Sequence, residues 1–234
     1  MKKIIKMTLF CISVITVSSC GNEGANGITN ESTPEKKEII TMNTTASFNL
    51  VEEGNEVSWD RFLHQGPTKK TIKIFGAEAE VELGEVELTT SGDVSLNSGI
   101  LNEYNDSITD LTLFFDMTTL KLNTNMEKGD DLFKANEFGS SELRITEVLK
   151  DSAGYMLNGE LEIASVSNPV SVIAQIESTE KGKKITGDLV IQTLDWPLRE
   201  ESAKKSVIKD EITIKLNLLF EAGEVMRDTV ITYE

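Results

Sequence analysis

Apolar residues in this chain recur at every second position. Near the C-terminus Ile212, Ile214, Leu216, Leu218 and Phe220 alternate with Thr213, Lys215 and Asn217. Successive side chains of a strand point to opposite faces, so this period gives a strand with one buried face; a helix needs apolar residues three and four positions apart. The same alternation sets Tyr155, Leu157, Leu161 and Ile163 against Met156, Asn158, Glu160 and Glu162, and Ile185, Leu189 and Ile191 against Thr186, Asp188 and Gln192. It also runs through Leu111, Leu113, Phe115 and Met117, and through Val170, Val172, Ala174 and Ile176. Further strands are predicted around 47–51, 56–60, 70–75, 78–89, 94–101 and 142–149, bounded by Gly, Asn and Asp turn signals. One helix is predicted over 126–136, with Leu132, Phe133 and Phe138 as its apolar contacts.

Half-buried strands that recur around a whole domain must hide their edges, and closing the sheet removes the edges altogether. The period fits a sandwich or a barrel; closure is preferred, and the predicted fold is all-β, an antiparallel barrel of about eight strands with one short helix, over residues 46–234. A barrel of that size is either filled by its own side chains or holds one small ligand, and the alternation is compatible with both.

Composition excludes several functions. A net charge of −16, from 39 acidic and 23 basic residues, repels a phosphate backbone and argues against nucleic acid as a partner. Two Cys and one His leave no ligand set for a Cys/His zinc site, and any His-dependent nucleophile would have to use His64. No catalytic residue, metal site or cofactor is assigned, and the chain reads as a non-enzyme.

The N-terminus carries Lys2, Lys3 and Lys6, an apolar run over 7–17, and then Val17-Ser18-Ser19-Cys20. This is the pattern of a secretory signal, too short and too polar at its end for a membrane span. The residues before Cys20 resemble the lipobox of bacterial lipoprotein signals, which implies removal of 1–19 and acylation of Cys20. Removal takes away three lysines, no acid, and Cys11, so the remaining fold has no disulfide. Residues 20–45 then form the lipidated N-terminus and a flexible tether, rich in Gly, Asn, Thr and Glu. The expected location is the bacterial cell envelope, lipid-anchored to a membrane, with the outer membrane preferred.

Several short strings, taken in order, resemble the YceI-like family. They are Phe115-Asp116-Met117-Thr118-Thr119-Leu120, Gly159-Glu160-Leu161-Glu162-Ile163 followed by Val166, Pro169 and Val170, Asp195-Trp196-Pro197-Leu198, and Asp210-Glu211-Ile212-Thr213-Ile214. Trp59 stands where the family commonly has a tryptophan in an early strand. Departures are Ser165 and Pro197 in place of glycines, Thr193 in place of an arginine, and Glu137-Phe138-Gly139-Ser140 with a single aromatic. The resemblance covers about 46–222 and implies a lipocalin-like barrel associated with polyisoprenoid or quinone lipids.

On that reading Trp59, Leu111, Leu113, Phe115, Met117, Tyr155, Leu157, Leu161, Ile163, Val172, Trp196 and Ile214 are candidate lumen residues, and core packing is their alternative role. His64 is placed in a loop. The pairs Asp130/Asp131, Glu200/Glu201 and Asp210/Glu211 lack calcium-loop spacing and are expected on the solvated surface. Glu78, Glu80, Glu82, Glu85 and Glu87 mark an outer strand face. The expected function is an anchored lipid-binding protein that holds an isoprenoid or other long-chain lipid for carriage or sequestration. The alternative is a filled barrel presenting an acidic surface to a protein partner.

Overall fold

A computed structural model describes residues 38–74, 76–123, 133–150, 152, 154–198 and 207–233. Eleven strands follow one another: β1 (Glu38–Leu50), β2 (Glu56–Gln65), β3 (Thr68–Ile74), β4 (Ala77–Leu83), β5 (Val86–Tyr104), β6 (Ser107–Leu122), β7 (Ser140–Lys150), β8 (Tyr155–Ile163), β9 (Val166–Ser178), β10 (Gly182–Gln192) and β11 (Val207–Tyr233). Among the described residues one 3-10 turn, Thr193–Asp195, is found, ahead of β11.

Strands β5 to β11 pair each with the next, all antiparallel. The ring closes through an eighth position that two strands share. At one end β2 lies between β5 and β11, and at the other end β1 lies between the same two strands. The result is an eight-membered antiparallel barrel, as the alternation demands. Inward positions are the apolar ones: Leu111, Leu113, Phe115 and Met117 on β6, Leu157, Leu161 and Ile163 on β8, and Ile212, Leu216, Leu218 and Phe220 on β11 are all buried.

Tight turns close the hairpins. Asn105 and Asp106 have φ of 48° and 62°, and Ala164 and Ser165 have 51° and 62°. Two consecutive positive-φ residues give the twist that antiparallel strands favour. Asn and Asp reach this region through local hydrogen bonding, and Asn105 Oδ1 accepts from the Thr44 N–H at 2.8 Å.

Three expectations are corrected. No helix is found among the described residues of 126–136: residues 124–132 lie outside them, and residues 133–137 form turns. Residues 38–45, assigned to the tether, are the first half of β1, where they pair with β11 from Tyr233 to Met226. Their alternation is weak because this two-stranded ribbon extends past the barrel and has no core to face. The predicted strand over 78–89 is divided between β4 and β5. Strands β3 and β4 form a separate hairpin in which Glu78, Glu80 and Glu82 share a face with Lys69 and Lys73. The signal peptide and Cys20 lie outside the described residues.

Candidate functional site: an apolar chamber at one end of the barrel

The interior is divided between packed core and chamber. Leu111, Leu113, Leu157 and Val172, all candidate lumen residues, interlock with Leu143 and Ile145 at no more than 1% exposure. They are core, and none of them lines the chamber. Tyr155 is only half-buried at the start of β8, with Lys150 Nζ 5.3 Å from its ring centre. Trp196 is buried after the 3-10 turn, and its Nε1 donates to the Val166 carbonyl at 2.9 Å, which ties the β10–β11 connection to the β8–β9 turn. Its indole donor is thereby used.

The remaining six candidates come together. Trp59, Phe115, Met117, Leu161, Ile163 and Ile214 surround an apolar cavity of about 30 Å³, completed by Val94, Leu120, Phe133 and Ser141. That is little free space, room for a molecule the size of water and not for a chain. Phe133, assigned by sequence to a helix, meets Trp59 edge to face, with ring centres 5.4 Å apart and planes at 78°. Ser141, the one hydroxyl among these lining residues, is partnered: it donates to the Glu162 carbonyl.

Trp59 is held by its neighbours. Its ring lies against Gly92 so closely that a Cβ there would be 2.7 Å from Cζ2, and glycine is required for the approach. The indole Nε1 is buried and has no acceptor among the described residues. An unmade buried donor costs about 1–3 kcal/mol, and the bond would be regained if an acceptor reached it.

Two residues along β2, Arg61 also points inward. Its Nε donates to Asp210 Oδ1 at 2.7 Å and its Nη2 to Asp210 Oδ2 at 3.0 Å, a bidentate pair fully buried in the barrel. Asp210 was expected on the solvated surface and is instead a core residue. The alternation Val57, Trp59, Arg61, Leu63 carried the signal for Arg61, since every second residue of β2 is buried. Beside them Thr90 Oγ1 is buried without a partner.

His64 lies on β2, not in a loop, with Nε2 3.7 Å from Glu85 Oε2. Asp130, Asp131, Glu200 and Glu201 lie outside the described residues. Among the described residues no three His, Cys, Asp or Glu side chains are grouped to hold a metal ion, and no helix is long and apolar enough to cross a membrane.

The family model of the YceI-like domain matches residues 48–220, from the last three residues of β1 to the middle of β11. The chain belongs to the YceI-like family. No curated protein matches it. Among solved structures, BcnA of Burkholderia cenocepacia is 14% identical with a TM-score of 0.42, the match covering 74% of this chain and 96% of that one. A YceI protein of Campylobacter jejuni is 18% identical with a TM-score of 0.36, covering 55% of this chain and 74% of its own. The matched span takes in every YceI-like string read from the sequence and every residue lining the chamber.

Proposed function

We propose that this YceI-like protein binds a long apolar molecule carrying an oxygen acceptor, of isoprenoid or quinone-like type, and carries or sequesters it in the cell envelope while anchored through acylated Cys20. The observation that carries the reading is a chamber lined almost entirely by apolar side chains and walled on one side by Trp59, whose buried indole N–H has no acceptor among the described residues. A carbonyl or hydroxyl oxygen reaching that N–H would complete the hydrogen bond in apolar surroundings, where it is stronger than in water.

The chamber must enlarge to accept a chain. Met117 has an unbranched thioether that changes shape at little cost, and Phe133 comes from a turn, not from the barrel wall. Each Å² of apolar ligand surface removed from water contributes about 25 cal/mol against that rearrangement. The packed core around Leu113 and Leu157 limits how far a chain can penetrate, so the tail occupies one end of the barrel and not its full length.

A second reading is favoured by the cavity volume of about 30 Å³: a filled barrel that presents an acidic surface to a protein partner. Organic-solvent extraction of the purified protein followed by mass spectrometry decides between them. Stoichiometric release of an apolar lipid is expected. A protein that yields no lipid, and whose Trp59 emission does not respond to added isoprenoid, is a filled barrel.

A further inference from the structure

The eighth position of the barrel has a hole in it. On the side of β5 that faces β1 and β2, the ladder runs from Tyr104 to Ile100 against β1 and resumes at Asp93 against β2. Residues 94–99 have no ladder partner on that edge, a stretch of roughly 20 Å at strand spacing. The chain between β1 and β2 leans away from it. Val51 N–H donates to the Leu219 carbonyl at 2.9 Å, and Leu219 N–H donates to Asn55 Oδ1 at 2.7 Å, so this connection is fastened to β11. On its other edge β5 is irregular, with register shifts between Asp93 and Ser95 and between Leu96 and Ser98. The outcome is a cleft of about 950 Å³ in the wall.

The cleft and the apolar chamber are separated by Val94, which lines both. Outside it the cleft is mixed, with Asn49, Asn55, Ser95, Asn97 and Ser98 among apolar residues such as Leu50, Leu96 and Ile100. Inside it stands Trp59: a Cβ on Gly92, two residues from Val94, would lie 2.9 Å from Cε2, the ring atom bonded to the acceptor-less Nε1. The charged side chains of the cleft are Glu52, Glu56 and Asp93 against Lys121, so the mouth is net negative.

We propose that the cleft is a lateral portal and head-group site, gated by Val94, for single-chain amphiphiles with an uncharged hydrogen-bonding head and an ester or amide oxygen at the start of the chain. The inference rests on the lipid-binding reading above and adds the route and the head chemistry. The head stays among the amides and hydroxyls of the cleft, the first carbonyl oxygen passes Val94 and accepts from Trp59 Nε1, and the chain fills the chamber. Anionic heads are rejected by the three carboxylates. No bond is made or broken.

The test uses the purified protein with a monoacylglycerol whose C18 chain carries two bromines, and with the corresponding dibrominated fatty acid. Bromine quenches indole emission at short range, and quenching that disappears in Trp59→Phe reports arrival in the chamber. Wild type should bind the monoacylglycerol about tenfold more tightly than the acid, the order expected for net like charge at a partly solvated mouth. Glu52→Lys with Glu56→Lys, both exposed, should reverse that preference. Val94→Phe, which adds bulk without a second indole at the gate, should slow association on the order of tenfold, as a blocked gate does. Circular dichroism verifies that each variant is folded. Saturable quenching with no effect of Val94→Phe, no charge preference, and acceleration by Phe133→Ala would overturn the portal while leaving lipid binding intact, because the chain would then enter at the barrel end. Absence of saturable quenching in wild type would overturn both.

Discussion

Arg61 and Asp210 meet as a bidentate pair 2.7 and 3.0 Å apart inside a barrel whose other inward residues are almost all apolar. Each charge depends on the other for its place. Arg61→Met leaves the Asp210 carboxylate buried opposite a thioether and should destabilise the fold by about 3–5 kcal/mol. The double variant Arg61→Met, Asp210→Leu removes both charges and should recover most of that loss. Urea denaturation of the two single variants and the double variant closes the cycle. A double variant no more stable than the singles would show that the pair's surroundings, not its charges, are what the fold needs.

Leu113 and Met117 lie on the same inward face of β6, four residues apart, and should respond differently to truncation. Leu113 is fully interlocked, and Leu113→Ala should cost about 2–5 kcal/mol through the cavity it leaves. Met117 borders space that is already present, so Met117→Ala should cost less and should increase the uptake of an apolar probe. Thermal denaturation and probe titration on the same samples check both halves. Equal destabilisation with no gain in uptake would mean that the chamber is ordinary core.

Lys215 on β11 donates to Asp60 Oδ2 on β2 at 2.6 Å, across the junction where the ring closes. The hydrogen bond to Asp60, then the charge of that carboxylate, raises the Lys215 pKa above its ordinary 10.5. A raised cation pKa stabilises the fold fully below the ordinary value, and the contribution is lost as pH rises through the folded one. The pair is exposed and its effect is small. The stability difference between wild type and Lys215→Met should therefore be flat from neutral pH up to about 10 and shrink at more alkaline pH. Denaturation midpoints across that range test it, and a difference that grows with pH would contradict the sign.

Acylation of Cys20 predicts that cells fed labelled palmitate incorporate label into the wild-type protein and not into Cys20→Ser. The substituted protein should also leave the membrane fraction if acyl chains on Cys20 are what hold it there. Unchanged labelling in the variant would remove the anchor from the functional reading.

Much of the barrel was legible because burial and strand period coincide. Every strand with four or more alternating apolar residues is present, and Trp59, Phe115, Met117, Leu161, Ile163 and Ile214 were identified as inward-facing from alternation and family resemblance alone. Alternation does not report depth. It gives Leu113 and Met117 the same signal although one is core and the other lines the chamber. Nor does it report pairing across the ring. Arg61 and Asp210 are 149 positions apart, and each alone resembles a surface charge. The first half of β1 was missed because a ribbon with solvent on both faces has no reason to alternate, and the lateral cleft was missed because it arises from two strands sharing one position in the ring.

The ribbon of β1 and β11 leaves the barrel at the end where Thr45 meets Tyr104, opposite the end where Phe133 sits over Trp59. Glu38 and Tyr233 are neighbours at its tip, about 24 Å beyond that junction if the strands stay extended. The ribbon thus projects away from the apolar chamber, and the lateral cleft at residues 94–99 of β5 lies between the two, open to the flank of the barrel whichever way its ends are turned.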